Sequence, residues 1–162
     1  MRSMSKVIFL DAGPLGIIAN PKTPPSPLTI QAIEWVYALT IAGCRLIVPA
    51  IADFEVRREF LRAGMPDSLV LLDVWNTAQP DRYLRLTDSA LKLAAQLWAQ
   101  ARNGGTLPAD PKELNGDVLI AAQILDYQAN YGLATSDIVI ASVNVGHLSL
   151  FVPTDLWTNI QP

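Results

Sequence analysis

The chain has 162 residues, about half of them apolar (51%), which fits one globular domain over residues 1–162 with a sizeable core. Twelve Lys and Arg against 15 Asp and Glu leave a net charge of −3, which argues against nucleic-acid binding through bulk positive charge. A nuclease remains compatible with that balance, because acids gathered for a metal ion lower the net charge by themselves.

Val7-Ile8-Phe9-Leu10 reads as a buried strand that runs into Asp11, and Ala12-Gly13-Pro14 cannot continue it. The apolar run after Arg2 and Lys6 stops at Asp11, too short for a signal-peptide core. No segment approaches the roughly 20 apolar residues of a membrane helix. With Cys44 as the only cysteine and no internal disulfide to form, a cytoplasmic protein is expected. Pro21 to Pro27, with four prolines, reads as a rigid surface loop. Ile30, Ile33, Tyr37 and Ile41, with Val36 and Leu39 beside them, then recur at helical spacing up to Gly43.

A strand over 46–49 follows, then a charged surface helix over about 51–63 carrying Phe54 and Leu61 and ending at Gly64. A short helix is expected over Ser68 to Trp75 and a third strand over Tyr83 to Leu86. Thr87 or Asp88 caps a helix whose apolar stripe is Leu91, Ala94, Ala95, Trp98 and Ala101, closed by Gly104-Gly105. From Lys112 to about Tyr131, Val118, Ala121, Ala122 and Leu125 repeat at three and four. Ile138 to Ala141 is a buried strand, and Leu150-Phe151-Val152, stopped by Pro153, a shorter one. Strands alternating with helices predict an α/β fold: a three-layer α/β/α sandwich around a parallel sheet of four to five strands.

Three acids occupy matching contexts. Asp11 lies at the carboxyl end of a strand, Glu55 one turn into the helix after the 46–49 strand, and Asp117 in the run Gly116-Asp117-Val118-Leu119. Open α/β sheets bind ligands along the carboxyl edge, where strand order reverses. Three carboxylates meeting there would repel one another, and Mg²⁺ or Mn²⁺ would remove the repulsion and prefer such oxygen donors. That combination activates water and stabilises charge on a phosphodiester. Each acid also has a structural role open to it: Asp11 as the cap of a turn, Glu55 as a solvated helix charge beside Arg58, Asp117 as a helix-start charge.

The segments FLDAGPLG around Asp11, VPAIADFEVRREFLR around Glu55, LNGDVLIAAQ around Asp117 and IVIASVNVGHLSLFVP around Asn144 resemble those of PIN-domain proteins, particularly the VapC-like group. The resemblance spans about Val7 to Trp157 and implies a metal-dependent endoribonuclease, often the toxin of a type II toxin–antitoxin pair and often a homodimer. It matches Asp11, Glu55 and Asp117 to the three principal acids. For the fourth position, Asp137 in Ala134-Thr135-Ser136-Asp137 precedes its strand, at the wrong end, whereas Asn144 in Ser142-Val143-Asn144 follows it. Asn144 is therefore preferred, with Ser142 orienting water or an acid. Ser142 stands where threonine is commoner, and a neutral Asn144 weakens a second metal site, which leaves open a module that acts by binding an antitoxin.

Arg57 and Arg58 could meet RNA phosphates, or pair with Asp53 and Glu59 on the surface. His147, the only histidine, excludes any multi-histidine metal site and reads first as a structural residue. Asp110 reads as a loop residue and the four tryptophans as core or dimer contacts. A haloacid-dehalogenase-type phosphate enzyme also begins with an aspartate after its first strand, but needs a second one where this chain has Gly13.

Overall fold

The structure, a computed structural model, describes residues 5–20, 22–105 and 111–162. Five parallel strands, β1 (Val7–Leu10), β2 (Arg45–Pro49), β3 (Tyr83–Leu84), β4 (Ile138–Ser142) and β5 (Thr154–Leu156), form one sheet in the order β3-β2-β1-β4-β5. In register, Val7 lies opposite Arg45 and Ile138, and Leu10 opposite Ala141. Every residue of β1 and β4 is buried, which alternating side chains allow only when both faces of the sheet are covered. Among the described residues six helices flank the sheet or pack on those that do: α1 (Ala12–Ile18), α2 (Pro27–Ile41), α3 (Ala50–Arg62), α4 (Pro66–Thr77), α5 (Asp88–Asn103) and α6 (Pro111–Tyr131). None of the helices described is long and apolar enough to cross a membrane.

The core gathers Ile8, Phe9, Leu10, Ile47, Ile120 and Ile140, each almost fully buried. Trp35 and Trp157 pack edge to face at 5.4 Å, and the Trp35 indole N–H donates to the Ile160 carbonyl at 2.8 Å, which ties α2 to the chain after β5.

Several elements differ from expectation. Asp11 is followed directly by α1 rather than by a turn, because Pro14 falls in the first turn, where no intrahelical partner for its N–H is needed. Helix α4 runs Pro66–Thr77, beyond the expected Ser68 to Trp75, with Pro66 preset for its first turn. Strand β3 keeps only Tyr83 and Leu84. The strand expected at Leu150–Val152 is absent: Leu148–Leu150 is a tight 3-10 turn with Leu150 61% exposed, and β5 follows Pro153. Pro153 enters the strand rather than ending it, since its carbonyl accepts from the Ile140 N–H at 2.8 Å.

Two helices bury a different stripe from the one their bulkiest residues suggest. On α5 the buried positions are Ala90 and Ala94, packed against Leu114, Val118 and Ala122 of α6, while Leu91, Ala95 and Trp98 face outward. On α2 the buried positions are Thr29, Ala32, Trp35 and Leu39, and Ile30, Ile33, Tyr37 and Ile41 are exposed. Small residues let α5 approach α6 closely, and on α2 one tryptophan and one leucine fill the space that the sheet leaves.

Candidate functional site

Strand order reverses at β1, with β2 on one side and β4 on the other, so the carboxyl ends of β1 and β4 flank the switch point. Asp11 follows the end of β1 and Ser142 closes β4. One Asp11 carboxylate oxygen accepts from the Ala12 N–H at 2.8 Å and caps α1; the other lies 2.8 Å from the Ser142 hydroxyl. Capping and placement at the edge are thus the same geometry, not rival roles.

A cleft of about 720 Å³ opens over this edge, and Asp11, Glu55 and Asp117 all line it, with Ser142, Asn144 and His147. Glu55 reaches it from α3 because position 116 is glycine. The Glu55 Oε1 stands 2.5 Å from where a Cβ on Gly116 would be, so any side chain there would meet the carboxylate. Asp117 lies more than one turn inside α6, which begins at Pro111, so it is not a helix-start charge. The His147 Nδ1 is 3.3 Å from its Oδ2.

The electrostatics tie the three acids together. Burial first, then repulsion from Asp11, raises the Glu55 carboxyl to about 7; Arg58 opposes this and Asp117 adds to it. Burial and then Asp11 raise Asp117 to about 6, against the pull of His147. Burial also raises Asp11, opposed by its hydrogen bonds from Ser142 and Ala12. The Ser142 hydroxyl has one hydrogen but lies 2.8 Å from both Asp11 and the Asn144 carbonyl. A proton on Asp11 would complete that chain, carboxyl to hydroxyl to carbonyl. As the side chains stand, no group of three or more His, Cys, Asp or Glu among the described residues could hold a metal ion.

The other expected residues are distributed as follows. Asn144 is at the cleft, but its side-chain oxygen accepts from the Gly146 N–H at 3.1 Å in a local turn, and its own N–H donates to Ser142 at 3.2 Å. Asp137 precedes β4, and its carboxylate accepts from the Ala134 N–H at 3.1 Å. The two arginines part company. Arg58 lines the cleft, whereas Arg57 turns to α4, holding Asp53 through two hydrogen bonds of 2.9 and 3.0 Å and Asp73 at 2.6 Å. Asp110 lies outside the described residues.

Sequence reasoning missed two contributors. Gln123 is 1% exposed, and its amide accepts from the Ile51 N–H at 3.2 Å and donates to the Leu84 carbonyl at 3.0 Å. It satisfies a free N–H in the first turn of α3 and thereby sets α3, with Glu55, against α6, with Asp117. A glutamine inside an apolar helical run was the available signal. The second is Val143, whose methyl carbons lie 2.6 and 2.7 Å from where a Gly13 Cβ would be; the loop after β4 therefore seats on the first turn of α1 only because that residue is glycine.

No family model matches the sequence, and no curated protein matches it. Solved structures do match the fold. A chain of the crystal structure of VapBC2 from Rickettsia felis, bound to a DNA fragment from its promoter, aligns with a TM-score of 0.64 at 11% identity, over 93% of this chain and 98% of that one. VapBC-1 from nontypeable Haemophilus influenzae gives 0.60 at 14% identity, over 94% and 99%. FitAcB from Neisseria gonorrhoeae gives 0.58 at 18% identity, over 94% and 99%. The five-stranded parallel sheet with its six helices is the PIN-like fold shared with these structures.

Proposed function

We propose that the chain is a Mg²⁺- or Mn²⁺-dependent endoribonuclease, acting as the toxin of a type II toxin–antitoxin pair. The observation that carries the reading is that Asp11, Glu55 and Asp117, on three separate elements, line one cleft at the switch point, where Asp11 raises the carboxyl pKa of both Glu55 and Asp117. The donor set is all oxygen and its charged forms are disfavoured by burial and mutual repulsion, which is the situation a hard cation relieves. Asp11, Glu55 and Asp117 would hold the ion. When bound, a divalent cation supplies charge stabilisation at the phosphodiester and an acidified water.

The chain's own groups do the rest. Ser142 and the Ala12 N–H fix the Asp11 carboxylate, and His147 fixes Asp117. Glu55, across the cleft from Asp11 and Asp117, is placed to orient the attacking water. Arg58, at the cleft wall, offers a guanidinium fork to a substrate phosphate. The exposed apolar face of α2, Ile30, Ile33, Tyr37 and Ile41, favours association with an antitoxin or a second copy of the chain. VapBC and FitAcB name complexes, which supports a protein partner here. One observation favours a second reading, a binding module without turnover: the fourth position, Asn144, is neutral and its oxygen is already engaged.

The test is cleavage of a fluorescent single-stranded RNA by the purified chain. Cleavage with Mg²⁺ or Mn²⁺, abolished by EDTA and by Asp11→Asn, is expected. Equal cleavage by Asp11→Asn would trace the activity to a contaminant and overturn the nuclease reading.

A further inference from the structure

A second cavity, of about 200 Å³, lies at the other end of the sheet, beside the start of β2. Its lining includes Thr40, Cys44, Arg45, Gln79, Asp81 and Arg82. Arg82 is the unusual member. The residue is only 7% exposed, yet no carboxylate among the described residues lies within ion-pair distance of it.

Its guanidinium lies 3.8 Å above the Trp75 ring, and one nitrogen donates to the Trp75 carbonyl at a long 3.3 Å. The buried Nε has no hydrogen-bond partner, and neither has the Trp75 indole N–H. An arginine stays charged in a protein and carries five N–H donors. A buried cation left without a counter-charge is costly, and structures normally pair it. Here the wall beside it is a cavity, and the second residue on that wall with a guanidinium is Arg45.

Arg45 is half-exposed and lies 4.0 Å from Asp81, the limit of an ion pair, and the Asp81 side chain is 81% exposed. Two guanidinium groups against one solvent-held carboxylate leave the cavity with a net positive charge. Its volume suits a compact ligand and is too small for a length of polymer.

We propose that this cavity binds a small, free phosphate-class oxyanion between Arg45 and Arg82. The fork geometry of guanidinium matches such an anion through paired N–H···O bonds. An ion there would neutralise Arg82 and join the segment Gln79–Arg82 to β2, whose Val48 N–H already donates to the Arg82 carbonyl at 2.6 Å. The site lies away from the carboxylate cleft and does not depend on the nuclease reading.

Thermal unfolding of the full chain in EDTA, with potassium phosphate replacing potassium chloride at constant ionic strength, tests the proposal. A ligand that binds the folded state raises the midpoint by mass action. Phosphate also stabilises proteins by exclusion from their surfaces, but that effect is common to all variants and cancels in the comparison. The expected result is a midpoint increment several degrees larger in the native chain than in Arg82→Gln, with Arg45→Gln in between and the control Arg62→Gln, at an exposed arginine of α3 outside both cavities, equal to the native chain. Arg45 is half-exposed, so Arg45→Gln keeps the comparison sound should Arg82→Gln fold poorly. Equal increments in the native chain, Arg45→Gln and Arg82→Gln would overturn the proposal. So would loss of oligoribonucleotide affinity in Arg45→Gln with no response to free phosphate, since the arginines would then contact a polymer backbone.

Discussion

Asp53 and Glu55 stand two residues apart on α3, and the helix turns them toward opposite surroundings. Asp53 is 5% exposed and fully engaged: Arg57 holds both its oxygens, and the Asn76 amide donates to it at 2.7 Å. Glu55 faces Asp11 and Asp117 across a cleft, with Arg58 as its main opposing charge. The first carboxylate has its charge matched within the fold and joins α3 to α4. The second has its charge raised in energy by the fold, which is the situation that the proposed cation would relieve. Burial alone does not separate structural acids from functional ones; the sign of the neighbours does.

Neutralising each acid in turn breaks this comparison most sharply. Glu55→Gln should lower RNA cleavage on the order of 10³-fold while leaving the metal-free fold at least as stable as the native chain. Asp53→Asn should do the reverse, costing about 3 kcal/mol in urea unfolding by breaking a buried pair, with cleavage retained where the chain is folded. Equal losses of stability in both would remove the distinction.

The same contrast predicts a pH dependence. The Glu55 carboxyl is protonated below its ordinary 4.5 in both states; between 4.5 and about 7 the folded chain holds a proton that the unfolded chain has lost. Raising pH through that window therefore destabilises the metal-free protein, by about 2 kcal/mol after allowance for solvent at the cleft, and Asp117 adds to it between 3.8 and about 6. Denaturant unfolding in EDTA at pH 5 and pH 8 measures it, and Glu55→Gln should flatten the profile. A profile unchanged by Glu55→Gln would place the cause elsewhere.

A smaller effect is expected at Gly116. Alanine there gains up to about 1 kcal/mol of helix propensity, but its Cβ meets the end of the Glu55 side chain and displaces the carboxylate. Gly116→Ala should be slightly more stable and about tenfold less active, an exchange that thermal unfolding and initial cleavage rates read directly.

These contrasts also show which parts were legible in the sequence. Strands β1, β2 and β4 carry three or four consecutive apolar residues, because both their faces are covered, and a strand that stops at Asp11 announces an acid at the sheet edge. The exposed edge strands β3 and β5 lack that signature: Thr154-Asp155-Leu156 is held by pairing to β4, not by its own pattern. Helix faces were misjudged on α2, where apolar residues lie all round, and on α5, whose apolar arc is wider than the stripe that packs, so size suggested one stripe and packing chose another. The three acids were legible from context. The partition of Arg57 from Arg58 was not, because it depends on Asp53 and Asp73 lying along α4's side of α3, and adjacent helix residues differ by about 100° in direction.

The central claim is that Asp11, Glu55 and Asp117 together take up one hard cation. Calorimetric titration of the metal-free chain with Mn²⁺ at pH 6, where Glu55 and Asp117 still carry protons, tests it most directly. The account predicts uptake accompanied by release of protons from the raised carboxyls, and loss of that uptake in Asp11→Asn and in Asp117→Asn. Absence of uptake at millimolar Mn²⁺, or uptake unchanged in both variants, would contradict it.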